Sequence, residues 1–110
     1  MSLPLLYRLS AVVTLLLLPT IAEAKLARCF TTSDGYYDCD FRSTDKDGSF
    51  EISANKKPRY IMVMEEPGTA SAFVNVGTGR NVALPGKFKR NKQDLACWFN
   101  TESQTRICAW

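Results

Sequence analysis

Four cysteines, Cys29, Cys39, Cys97 and Cys108, constrain this 110-residue chain more than any other feature. They fall into two near pairs, "CFTTSDGYYDC" and "CWFNTESQTRIC", in a sequence without histidine. Structural zinc sites favour closer cysteine pairs and often a shared histidine, and redox centres usually need C-x-x-C, so neither chemistry suits these spacings. An even set of cysteines outside the apolar leader predicts two disulfides.

Four cysteines allow three pairings, and turn chemistry favours the two local bridges. Ser33-Asp34-Gly35 fits a three-residue hairpin loop, a type I turn followed by a left-handed glycine. Folding about Asp34 sets Thr32 opposite Tyr36, Phe30 opposite Asp38 and Cys29 opposite Cys39. Folding the second stretch about Glu102-Ser103 sets Cys97 opposite Cys108, with weaker turn residues. Opposed strand residues lie about 4.5–5.5 Å apart at Cα, within reach of a disulfide.

Residues 1–24 read as a signal peptide: Arg8 in the leader, the apolar run "AVVTLLLLPTIA", and small residues at Ala22 and Ala24 before Lys25. The run falls short of the roughly 20 residues a span requires and is broken by Pro19, so no stable membrane span is expected after cleavage. Lipid attachment at Cys29 is disfavoured by Arg28 before it. Residues 25–110 form a single exported β domain, undivided by any linker or repeat and small enough to depend on disulfides.

Within that domain the fold class is all-β, a small antiparallel meander closed as a barrel or packed as a sandwich, with closure preferred because it hides strand edges. "YYDCDFR" puts Tyr37, Cys39 and Phe41 on one face, and "SFEISA" alternates likewise, with an Asp-Gly loop between them. "RYIMVME" is apolar on both faces and reads as a central strand. Glu66-Pro67-Gly68-Thr69 has the Pro-Gly centre of a type II turn, and Leu84-Pro85-Gly86-Lys87 repeats it. The expected core is Phe30, Tyr37, Phe41, Phe50, Ile52, Ile61, Val63, Phe73, Val74, Val82, Leu84, Trp98 and Ile107.

Without histidine, Ser-His and Cys-His mechanisms are excluded. "SANK" at Ser53–Lys56 matches S-x-x-K by letter, but at a strand end and without its companion motifs. Glu65-Glu66, or Asp38 with Asp40, could be drawn as an acid-base pair, yet strand neighbours point to opposite faces. "STDKDGSFEISA" has Ser43, Asp45, Asp47 and Gly48 at calcium-loop spacings, but Ala54 stands where a bidentate glutamate belongs. No catalytic residue, metal site or cofactor is expected.

Charge is the most suggestive remaining signal. "KFKRNK" groups Lys87, Lys89, Arg90 and Lys92 around Phe88, and Lys56, Lys57 and Arg59 form a second basic group, on a chain of net charge +3. Such polarity steers complementary partners; outside the cytoplasm these would be an acidic protein or an anionic envelope polymer rather than nucleic acid. Export, disulfides and strand content together give a resemblance in class to the small periplasmic inhibitors of C-type lysozyme. Their S-G-x-R-Y type signature is matched only by Arg59-Tyr60, after Lys57-Pro58, so no residue role is carried over. The expected function is a non-catalytic exported binding module, in a bacterial periplasm or secreted, engaging a protein or envelope polymer; inhibition of a wall-degrading hydrolase is one version. The alternative is a structural envelope component held to anionic polymer by the basic groups.

Overall fold

A computed structural model describes residues 23–110. Residues 1–22 of the expected signal peptide lie outside the described residues. Nine strands follow in order: β1 (Lys25–Thr31), β2 (Gly35–Ser43), β3 (Phe50–Ser53), β4 (Arg59–Glu66), β5 (Thr69–Asn75), β6 (Val82–Ala83), β7 (Phe88–Arg90), β8 (Cys97–Asn100) and β9 (Thr105–Ala109). Each pairs antiparallel with its neighbours, and the β1–β9 and β4–β5 pairings close the sheet on itself. The expected barrel is the observed one, and closure leaves few free edges.

Pro-Gly plays two different parts. Pro67-Gly68 reverses the chain between β4 and β5, with Glu66 opposite Thr69, Gly68 at φ 80° and a register shift between Met64 and Glu66. Pro85-Gly86 does not reverse it: β6 and β7 both run antiparallel to β5, with Phe73 opposite Ala83 and Ala70 opposite Phe88. The two short strands are therefore one barrel stave interrupted by a kink, and eight staves make the ring.

Asn100 fastens that kink. Its side chain is fully buried, donates through Nδ2 to the Pro85 carbonyl, and accepts at Oδ1 from the backbone N–H groups of Glu102 (2.9 Å) and Ser103 (3.2 Å). One amide thus ties the β6–β7 kink to the β8–β9 turn. Asn100→Ala removes these bonds at a fully buried position and should cost about 1–3 kcal/mol, read as a lower urea midpoint.

Both expected disulfides are present. Cys97 lies opposite Cys108 in the expected register, their Cα atoms 4.0 Å apart. The first hairpin departs from expectation. Phe30, not Thr32, is opposite Tyr36 and Thr31 is opposite Gly35, so Cys29 faces Tyr37 and Cys39 faces Ala27. The turn closes one residue earlier because the Asp34 N–H bonds the Thr31 carbonyl (3.2 Å) and hydroxyl (3.0 Å), with Gly35 at φ 72° already in the ladder. Two positions of slip leave every side chain on its expected face, and the bridge spans the diagonal at 5.9 Å between Cα atoms.

The interior takes one face of each stave. Tyr37, Phe50, Ile52, Trp98 and Ile107 are buried as expected, and Phe41, Val74 and Leu84 pack partly buried against them. Phe30, Ile61, Phe73, Val63 and Val82 are not in the core; Val63 and Val82 are exposed. A barrel has one inside, so "RYIMVME" buries Tyr60 and Met62 and turns Ile61 and Val63 outward. Cys29 and Cys39 belong to the core cluster, whereas Cys97 and Cys108 are buried next to the inward-pointing Trp98 and Ile107, which puts that bridge on the outer face.

Candidate functional site: the barrel mouth

Alternating strand direction brings the ends of β2, β4 and β7 and the starts of β3, β5 and β8 to the same mouth. There a cavity of about 700 Å³ opens between them. Its apolar wall is Phe41, Phe50, Met64 and Trp98, with the Phe41 and Phe50 rings near-parallel at 5.0 Å. Asp47, Glu65, Glu66, Arg90 and Leu95 stand around it.

The rim charges differ in how free they are. Arg90 donates from Nε to the Leu95 carbonyl at 2.6 Å and lies 5.4 Å from the Trp98 ring centre, so protein groups already hold it. Glu65 accepts from Lys87 Nζ at 2.6 Å and from the Ser71 hydroxyl, and these bonds hold its carboxyl below the ordinary glutamate value. The sign follows: the pairing is complete at neutral pH and is lost as pH falls through the depressed midpoint. Lys87→Met should raise the Glu65 midpoint, as followed by carboxyl carbon shifts in an NMR titration.

At the opposite end the interior closes on polar groups. Lys57 Nζ lies 3.9 Å from Asp34 Oδ1 and 5.3 Å from the Tyr37 ring centre. Burial, then the Asp34 charge and Tyr60, push the Tyr37 hydroxyl up to about 12. A folded value above the unfolded one favours the protonated fold, so stability should fall as pH rises from the ordinary tyrosine value of about 10 toward 12. Absorbance at 295 nm should show Tyr37 ionising together with alkaline unfolding.

The expected basic site is dispersed. Lys56 and Lys57 lie in the β3–β4 turn, and Arg59 opens β4 beside a polar recess with Arg42 and Glu51. Lys87 is committed to Glu65, and Lys89 donates to the Thr69 hydroxyl at 2.9 Å. Arg90 belongs to the mouth, and Lys92 is exposed in the β7–β8 connection. Phe88 is a correction: it is fully buried and cannot touch a partner, because in a strand the residue between two outward lysines points inward.

The other motifs are absorbed by local structure. Asp45 Oδ1 accepts from the Asp47 and Ser49 N–H groups at 2.8 and 3.0 Å, and bonds from Ser49 hold its carboxyl below the ordinary value. Among the described residues no group of three or more His, Cys, Asp or Glu side chains is placed to hold a metal ion. Among them too, no helix is long and apolar enough to cross a membrane.

Sequence reasoning missed the mouth, although it named Phe41, Phe50 and Trp98 as core. The available signal was strand parity: in a meander, alternate strand ends share a mouth, which groups Phe41, Phe50 and Met64 once the staves are counted. Comparison of the chain with protein-family models, curated proteins and solved structures returns no match.

Proposed function

We propose that this chain is an exported, non-catalytic binding module that engages a protein or an envelope polymer, with the barrel mouth as its recognition site. The observation that carries this reading is the cavity of about 700 Å³, walled by aromatic and thioether groups and bordered by a few charges. That size and lining are those of ligand sites, which recur in barrel mouths. The surrounding staves are cross-linked by two disulfides, which hold a binding surface still and suit an oxidising compartment outside the cytoplasm. Inhibition of a wall-degrading hydrolase is the concrete version for a protein partner.

The test uses Leu95→Arg. Leu95 is 59% exposed on the rim, so the substitution obstructs the mouth without touching the core. Pull-down from envelope extracts and an inhibition panel of wall hydrolases should yield a stoichiometric complex, weakened at least tenfold by L95R at unchanged melting temperature. Absence of any partner at micromolar concentration, or equal binding by L95R, would count against the reading.

A further inference from the structure

Resting on the mouth as the recognition site, we propose that its ligand is an apolar group bearing a positive charge: an alkylammonium amphiphile, or a basic side chain flanked by apolar residues. Three carboxylates, Asp47, Glu65 and Glu66, border the cavity against one guanidinium, Arg90. Lys87 offsets Glu65 from outside, and Arg90, oriented by the Leu95 carbonyl and the Trp98 face, leaves the lining with a net negative charge. Asp47 and Glu66 enter no ion pair among the described residues. Lys46, beside Asp47 in sequence, does not line the cavity.

The wall completes the recognition chemistry. Faces of Phe41 and Phe50 attract a cation through their ring quadrupoles, and carboxylates over a low-dielectric wall concentrate negative potential. Trp98 already holds a guanidinium in this way, with Arg90 5.4 Å from its ring centre. The Met64 thioether adapts to an apolar body of variable shape. An anionic ligand would meet Asp47 and Glu66 against the single guanidinium of Arg90, so the lining as a whole favours a cation.

Octyltrimethylammonium, octyl glucoside and octyl sulfate share a tail and differ in head charge. Each is titrated below its micelle threshold into oxidised Trp110→Phe protein, in which Trp98 is the one remaining tryptophan of the two. The cation should bind at least tenfold more tightly than the neutral probe, and added salt should weaken it. Asp47→Asn with Glu66→Gln should bring the two to parity while leaving the neutral probe unchanged. Equal binding of all three, or tightest binding of the sulfate, overturns the charge assignment and leaves the mouth as a site. No Trp98 response to any of them, in protein that L95R does not alter, overturns the mouth as well. Ac-Leu-Arg-Leu-amide, compared with Ac-Leu-Glu-Leu-amide, distinguishes the source: preference for the arginine peptide over octyltrimethylammonium identifies a protein side chain, and the reverse order a free amphiphile.

Discussion

Phe88→Ala should lower folding stability by about 3–5 kcal/mol, the largest effect expected of any single truncation here. Phe88 is the largest side chain with no exposed area, and it stands on the short stave where β7 bridges β5 and β8. Removing the ring leaves a cavity beside Ala70, its cross-strand partner, whose side chain is too small to fill it. Against the roughly 5–15 kcal/mol that holds a domain together, this leaves the variant marginal at 37 °C. The urea midpoint should fall with little change in slope. Lys92→Ala, on the exposed connection after β7, should stay within about 0.5 kcal/mol and serves as the contrast. A Phe88→Ala protein as stable as the Lys92→Ala protein would show that this side chain is not core.

Removing the disulfides is the second large effect. Their sequence separations are 10 and 11, so chain entropy alone assigns them nearly equal contributions of about 2–3 kcal/mol each. Their surroundings differ. Cys29 and Cys39 sit inside the core cluster, whereas the Cys97–Cys108 bridge is buried on the outer face. The double variant C29A/C39A should therefore lose more stability than C97A/C108A, the excess reporting interior packing rather than loop closure. Reduction of both bridges should remove most of the folded population at 37 °C. Coincident urea curves with and without reductant would contradict this.

These two expectations also mark where the residues were legible. Phe88 stood in the sequence as the centre of a basic cluster, "KFKRNK". The lysines announced themselves by charge, but the side on which Phe88 points depends on which strands flank it. The same holds for Ile61 and Val63: "RYIMVME" is apolar at every second position in both phases, and only its neighbours decide that Tyr60 and Met62 face inward. Pro85-Gly86 carried the letters of a turn and became a kink, because β5 is long enough to pair with the chain on both sides of it.

By itself the sequence determined what is local: all-β character, most of the hairpins with their approximate centres, the turn chemistry that favours the two local disulfides, and the absence of histidine chemistry. Those features depend on alternation, turn residues and cysteine spacing over about a dozen positions, where loop closure is cheap and few conformations compete. Tertiary structure alone decided the closure of β1 on β9, the choice of interior face, and the gathering of Phe41, Met64, Glu66, Leu95 and Trp98 around one cavity. Their positions span more than half of the described chain, and only the curvature of a closed sheet brings such distant strand ends to a common mouth.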